Sequence, residues 1–476
     1  MVDAAASPVA ALQASLRARL MRAAGWLVAG NLSSQLLRLL SNLALTRLLA
    51  PDAFALVAAI NALYFALVMF SDLGLWQSVV KSDRGAEPAF LGTAWSVQLL
   101  RGGLLAVMVL ALALALWLAN RQGFFDADTV YADARLAPML AALSLCALLQ
   151  GLESMKLALA QRRLELRHLA RLELASQLLA TAVTLGLTYC TGSVWSLLAG
   201  TLGHAATRTL LSHGLLSGQG ARPCWDADCA RELLCFGKWI FLSSIIGFLA
   251  AHGEKLLLGG YLSSGRFGQF AIAAMLMAAA VGLYSSVNAH IVFSSLSQAI
   301  RGGDRHGRRA YLRMQQLADL MLGLLAGAVF MLGDWPVQLL YDQRYQDAGW
   351  MFQWLGLGLL GMRQQVVEQL MFARGQSAWV TVSNTMRALG LAVLVPAGFH
   401  LWGEPGAVAA VVLSQFSGWP VALWYKARNG LLAWSSEACW LPALLAGLVV
   451  GGLGRAAIAQ TGTWPLRSFL PSILAS

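Results

Sequence analysis

The sequence predicts an all-α, polytopic membrane protein of about 12–14 transmembrane helices, arranged in two pseudo-symmetric lobes around a central cavity. Three observations predict it. Of the 476 residues, 58% are hydrophobic and only 12% are charged, a balance foreign to water-soluble domains. Apolar runs of twenty or more residues recur from Gly25 almost to the C-terminus. Each can cross ~30 Å of hydrocarbon, and backbone in lipid satisfies its own hydrogen bonds most simply as helix. Finally, one short phrase is written twice. Arg47 to Ile60 reads RLLAPDAFALVAAI and Gly260 to Ala273 reads GYLSSGRFGQFAIA, with Phe267 where Phe54 falls. Internal repetition in a polytopic chain points to two helical bundles with a substrate path between them.

Taken in order, residues 1–24 carry Arg17, Arg19 and Arg22 without a cleavage signature, and read as a cytosolic amphipathic lead-in. Spans are then predicted near 25–49, 53–80, 88–118, 136–160, 167–189 and 193–214, which form an N-terminal lobe over 25–216. The segment 217–232 holds Gly218, Gly220 and Pro223 and reads as a cytosolic inter-lobe loop. A C-terminal lobe over 233–427 follows, with spans near 233–259, 267–297, 310–332, 348–373, 378–399 and 405–425. Residues 428–476 add a helix near 438–458, and a remainder from Trp464 too short to span comfortably. With the N-terminus inside, the cytosolic segments hold eighteen Lys and Arg, among them Arg162, Arg163, Arg305, Arg308 and Arg309. The outer loops hold only Arg121, Arg135, Arg266 and Arg344, beside seven acids. That asymmetry obeys the positive-inside rule. The two copies of the repeat then lie at outer turns in the same orientation, as lobes related by an axis along the membrane normal require.

Ionisable side chains inside a span cost at least ~2.5 kcal/mol at mid-bilayer, so they face a cavity or a partner. Span 1 carries Asn31, Ser34, Gln35, Arg38 and Asn42 at helical spacing, and span 3 adds Gln98 and Arg101. Span 11 offers Arg387, and Lys238 and Lys255 lie nearer the ends of span 7. Guanidinium matches phosphate oxygens bidentately and keeps its charge, so a lumen lined by Arg38, Arg101 and Arg387 suits a phosphate or pyrophosphate headgroup, with Lys238 and Lys255 in support. The polar residues Asn31, Ser34, Gln35, Asn42 and Gln98 would line and hydrate that cavity. Asp72 and Glu254 are the acids assigned to ion coupling or to balancing these cations. The competing reading of each arginine is snorkelling or an interhelical ion pair. Glu153 and Lys156, at i, i+3, can pair with each other. His204, His252 and His290 read as core or interfacial hydrogen-bonding residues rather than proton relays.

Other classes are excluded. The net charge of +11 is spent in alternate short loops, which argues against a nucleic-acid partner. Cys224, Cys229 and Cys235 near His213 fit no zinc spacing, so neither metal nor cofactor is expected. No loop is long enough for a catalytic domain, so an enzyme such as a glycan polymerase is the weaker reading.

Several phrases resemble one family. RLLSNLALTRLLAPDAFALVA from Arg38 to Ala58, FSDLGL from Phe70 to Leu75, GLESMKLALA from Gly151 to Ala160, FGKWIFLSS from Phe236 to Ser244 and GEKLLLG from Gly253 to Gly259 are similar to segments of the bacterial oligosaccharide flippases. These are the Wzx-like polysaccharide biosynthesis proteins of the multidrug/oligosaccharidyl-lipid/polysaccharide exporter superfamily. The resemblance covers roughly residues 25–430. Ala55 stands where a glycine is expected and Glu254 where aspartate is usual, and the short tail departs from fourteen helices. The resemblance implies two six-helix lobes that alternate between inward-open and outward-open states in the bacterial inner membrane. The implied cargo is a polyprenyl-pyrophosphate-linked oligosaccharide, moved to the outer leaflet for surface polysaccharide. Implied partners are membrane lipids, a polysaccharide polymerase and a chain-length regulator. A cation-coupled drug or metabolite exporter of the same superfamily is the alternative.

Overall fold

The computed structural model describes residues 30, 33–82, 84–163, 165–216, 222–301, 303–433 and 437–460. These residues fold almost entirely as helix. In chain order the helices are α1 (33–48), α2 (Pro51–Phe70), α3 (Leu75–Lys81), α4 (Pro88–Arg121), α5 (Leu136–Ala142), α6 (Ser144–Gly151), α7 (Lys156–Arg162), α8 (Leu166–Thr191) and α9 (Trp195–Gly214). They continue as α10 (Ala227–Tyr261), α11 (Ser264–Val287), α12 (Phe293–Arg301), α13 (Asp304–Leu332), α14 (Asp334–Leu340), α15 (Ala348–Gly358), α16 (Gln365–Ala373), α17 (Ser377–Ser414), α18 (Trp419–Arg428) and α19 (Trp440–Gln460). Among the described residues the predicted spans fall largely on helical chain. Seven segments among the described residues are long and apolar enough to cross a membrane by themselves, or eight if α5–α6 and α7 count as one bent span.

Several predicted spans are broken, and the breaks have local causes. α2 stops at Phe70 because Gly74 takes φ 58°, a left-handed conformation that glycine adopts at least cost. The Asp72 carboxylate fixes that turn by accepting the Gly74 backbone N–H at 3.0 Å. α5–α6 and α7 meet at an angle of 59°. α17 runs through the predicted span 378–399 and into the first half of 405–425, with non-helical backbone at Trp402 and Gly403, and the rest of that second span falls on α18 after a turn. A π-helical turn at Asn288–Val292 joins α11 to α12, and a 3-10 stretch at Leu359–Gln364 joins α15 to α16. Broken helices leave carbonyls without intrahelical donors, so each break needs polar side chains beside it.

The chain divides into two compact units. The first contains 1–49, 64–118 and 137–242; the second contains 50–63, 119–136 and 243–476. In the first unit, Phe90, Val79, Ala158 and Leu233 make one apolar cluster. α4 turns Leu100, Leu104, Val107 and Leu114 outward from it, each about half to two-thirds exposed. Their i, i+4, i+7 spacing marks a face for lipid. In the second unit, Tyr311, Leu322, Val366, Val367 and Leu370 are fully buried in a larger core. α19 packs on α13 through small residues on both helices: a Cβ on Gly323 would sit 2.7 Å from the Ala443 side chain, and one on Gly327 2.5 Å from the Leu448 backbone. Such small-residue faces are how helices approach closely where lipid offers no hydrophobic driving force. The two copies of the repeated phrase touch within this unit, because Gly268 packs against the Pro51 carbonyl.

Candidate functional site

In the first unit α4 supplies a polar ladder that ends on helix breaks. Arg101 donates from Nε to Ser71 Oγ at 3.2 Å and from Nη2 to the Val68 carbonyl at 3.0 Å. It therefore closes the C-terminal end of α2, with Asp72 and Tyr64 in electrostatic reach. Gln98 donates its amide to the carbonyls of Gln150, Gly151 and Glu153 at 3.0, 3.2 and 3.0 Å, which caps the break after α6. α9 grips the same break from its other side. Thr209 donates to the Leu149 carbonyl at 2.9 Å, and the Ser212 hydroxyl accepts the Ser154 backbone N–H at 3.0 Å.

That grip presents Glu153 to α9. Arg208 holds two carboxylates at once: Nε lies 2.9 Å from Glu153 Oε1 and Nη1 lies 2.9 Å from Glu173 Oε2. One turn earlier, His204 Nε2 stands 3.4 Å from Glu173 Oε1. The Arg38 charge acts on Glu173 as well, and Arg38 itself is exposed. The side chains of Arg208, Glu173 and His204 keep between a quarter and a third of their surface open. The pairing of Glu153 with Lys156 is not made; Lys156 Nζ donates instead to the His213 carbonyl at 3.1 Å.

The second unit buries its charges in closed pairs. Arg363 grips Asp319 through Nε at 2.8 Å and Nη2 at 2.7 Å, and its Nη1 lies 3.3 Å from Glu437. Lys426 completes the set at 2.8 Å from Glu437. Gln315 donates to Asp319 at 2.9 Å, and the Arg363 guanidinium lies 5.3 Å from the centre of the Trp419 ring. Arg387 donates to Glu368 at 3.1 Å and to Asn384 at 2.5 Å. With two cations against two acids in the first set and one against one in the second, neither offers unbalanced charge.

The other candidates sort as follows. Ser34 is buried with a hydroxyl that makes no hydrogen bond, while Gln35 and Asn42 are half-buried on α1. Glu254 and Lys255 are half-buried neighbours on α10. Asn31 and the Lys238 side chain lie outside the described residues. Of the cations predicted to meet phosphate, Arg101 and Arg387 are engaged, while Arg38 is exposed and no carboxylate among the described residues lies within ion-pair distance of it. Sequence reasoning gives Glu173 a place on a polar face of span 5 and gives Arg208 and Asp319 no site role. An acid in the middle of an apolar span, as Asp319 is, was the available signal. Among the described residues no group of His, Cys, Asp and Glu could hold a metal ion.

Comparisons with known proteins agree with this architecture. A family model described as "Polysaccharide biosynthesis protein" matches residues 44–349. Among solved structures, the lipid II flippase MurJ in an inward closed conformation superposes with a TM-score of 0.65 at 12% identity, covering 94% of this chain and 95% of that one. An inward-facing multidrug resistance MATE family transporter of the MOP superfamily gives a TM-score of 0.66 at 14% identity, over 83% of this chain and 94% of that one. A variant of the Vibrio cholerae MATE transporter VcmN gives 0.53 at 15% identity, over 90% and 99%. No curated protein matches the sequence.

Proposed function

Given that the chain belongs to the polysaccharide biosynthesis protein family of transporters, we propose that it is a flippase for a polyprenyl-pyrophosphate-linked oligosaccharide. It moves this lipid from the cytosolic to the outer leaflet of the bacterial inner membrane by alternating access, with its N-terminus in the cytosol. The product feeds an O-antigen, capsule or exopolysaccharide. A polymerase and a chain-length regulator are the partners that such a product calls for. The two lobes are proposed as 25–216 and 233–427, joined by the loop 217–232.

One observation carries the proposal: the exposed Arg38 acts electrostatically on Glu173, the carboxylate that Arg208 also holds, so two guanidiniums work on one acid of the first unit. Two planar cations suit a pyrophosphate group, and no covalent chemistry is required of the chain. The carboxylates Glu153 and Glu173 in the same place favour one rival, a cation-coupled drug exporter, since a cationic drug would be drawn to acids.

Deletion of the gene followed by analysis of membrane lipids separates the two. A flippase leaves lipid-linked oligosaccharide accumulated on the cytosolic leaflet and abolishes surface polysaccharide. Drug sensitivity with normal surface glycan supports the exporter. Arg38→Ala should reproduce the deletion at unchanged protein level, and normal export by that variant sinks the proposed anion site.

A further inference from the structure

In the second unit, the first half of α13 has one side fixed by the core and one side open. Tyr311, Gln315, Ala318, Leu322 and Ala326 are buried; their i, i+4, i+7, i+11, i+15 spacing makes them a single face. Tyr311 donates to Gln315 at 3.2 Å and Gln315 donates to Asp319 at 2.9 Å, which holds that face in place. The opposite face carries Arg305, Arg309, Arg313, Gln316, Leu317 and Leu320, all exposed.

The open face changes character once along its length. Arginines stand at 305, 309 and 313, one turn apart, and then Leu317, Leu320 and Met321 follow, 61%, 51% and 48% exposed. The stretch Arg305–Leu332 is long and apolar enough to cross a membrane. From Arg313 to Leu332 the helix rises about 29 Å, which matches the ~30 Å of hydrocarbon in a bilayer. The three arginines therefore sit at headgroup depth, and the exposed apolar residues begin where acyl chains begin. Between Arg305 and Asp319 the helix has no acid, and Asp319 is fully buried and held by Arg363. No carboxylate among the described residues lies within ion-pair distance of Arg305, Arg309 or Arg313.

We propose that this face of α13 is a binding site for an acidic glycerophospholipid of the leaflet at which α13 begins. The phosphodiester lies against the guanidiniums, which meet phosphate oxygens bidentately and keep their charge at every physiological pH. An acyl chain runs along Leu317, Leu320 and Met321, so a free phosphate gains only half of the site. A zwitterionic lipid gains the apolar half but brings a cation to the arginines. A basic cluster beside a spanning helix is where anionic lipid is attracted most strongly. The face belongs to the second unit, and its lipid does not depend on what cargo the protein carries.

The test titrates the full-length protein in a non-ionic detergent with dioleoyl-phosphatidylglycerol or dioleoyl-phosphatidylcholine, and counts bound lipid by native mass spectrometry. The wild type should prefer phosphatidylglycerol by roughly tenfold or more. The triple variant Arg305→Gln, Arg309→Gln, Arg313→Gln should lose that preference while melting as the wild type does, since these side chains are exposed. Leu317→Gln with Leu320→Gln should weaken both lipids and keep the preference. Arg163→Gln, Arg222→Gln and Arg231→Gln together remove the same charge from exposed positions of the first unit, and this variant should bind phosphatidylglycerol as the wild type does. A preference retained by the α13 triple variant, or lost equally in the first-unit variant, overturns the site and leaves the arginines as solvated charge. Displacement of the lipid by glycerol 1-phosphate overturns the lipid and leaves an anion site alone.

Discussion

The Gln98 side-chain amide lies 3.2 Å from the carbonyl oxygen of Gly151, and it is the backbone of α4 that sets this distance. Gly102, one turn along from Gln98, faces Gly151 so closely that a Cβ on it would sit 2.7 Å from the Gly151 Cα. The small residue lets the helices approach, and the long polar residue then reaches the break. Two amide hydrogens serve three carbonyls, those of Gln150, Gly151 and Glu153, so one of them is shared. In lipid those carbonyls would otherwise find no donor.

Gln98→Leu should therefore destabilise the protein more than a loss of cavity polarity would. An unsatisfied buried acceptor costs about 1–3 kcal/mol, and three are exposed at once. Gln98→Glu, which removes every donor and adds charge, should be worse. Thermal unfolding followed by fluorescence-detected size exclusion reads both; unchanged melting in the leucine variant would mean that the break is satisfied without Gln98.

The same contact shows what was legible in the sequence. Period and length exposed the spans, since helical periodicity and ~20-residue apolar runs are local properties. The breaks after Phe70 and Gly151 are not legible, because Ser71 and Asp72 at the first and Glu153, Ser154 and Lys156 at the second have the same local pattern as polar residues inside a continuous span. Gln98 and Arg101 stood out as polar in apolar surroundings, but a side chain that caps a neighbouring helix has the same local pattern as one that lines a cavity. Arg387 is ambiguous in the sequence for the same reason, and its partner Glu368, 3.1 Å away, lies on another helix. Pairing partners such as Arg208 with Glu153 and Glu173 lie 55 and 35 residues apart in the chain, a distance no periodicity encodes.

Arg363 and Asp319 should behave as one unit in a mutant cycle. The pair is bidentate and almost wholly buried, with side-chain exposures of 6% and 0%. Removing either partner strands a charge, a loss of about 3–5 kcal/mol, whereas replacing both with apolar residues of similar volume can be neutral. Arg363→Met and Asp319→Leu should each lower the melting temperature sharply, and the double variant should recover part of the loss. Glu437 and Lys426 bound that recovery, since Glu437 loses one of its two cations. Additive losses would show that the pair is not coupled.

Asp226 caps the start of α10. Its carboxylate accepts the Cys229 backbone N–H at 2.9 Å at the start of α10, and its own N–H donates to Thr93 at 3.1 Å. The Cys229 backbone hydrogen bond holds the Asp226 carboxyl below the usual carboxylate range. A lowered value in the folded state means the cap is fully present above the unfolded value of about 3.9 and is lost as pH falls through the folded one. Asp226→Asn should speed amide exchange over residues 227–233 at neutral pH. As pH falls through the lowered folded value the wild type should approach the variant. Equal exchange at neutral pH would show that the charge contributes nothing to the cap.

Gly268 supplies the last test, because it joins the two copies of the repeated phrase. A Cβ there would overlap the carbonyl oxygen of Pro51, the first residue of α2, and a backbone oxygen at a helix start has little room to retreat. At the equivalent position of the first copy stands Ala55, fully buried, so the two copies do not demand the same residue. The requirement at 268 arises from the packing of one copy on the other rather than from the turn itself. Gly268→Ala should accordingly lower the melting temperature. It should also speed amide exchange in 50–63, while Ala55→Gly leaves exchange there at the wild-type rate or slightly above it. Wild-type exchange over 50–63 in Gly268→Ala would mean that the copies touch without depending on each other.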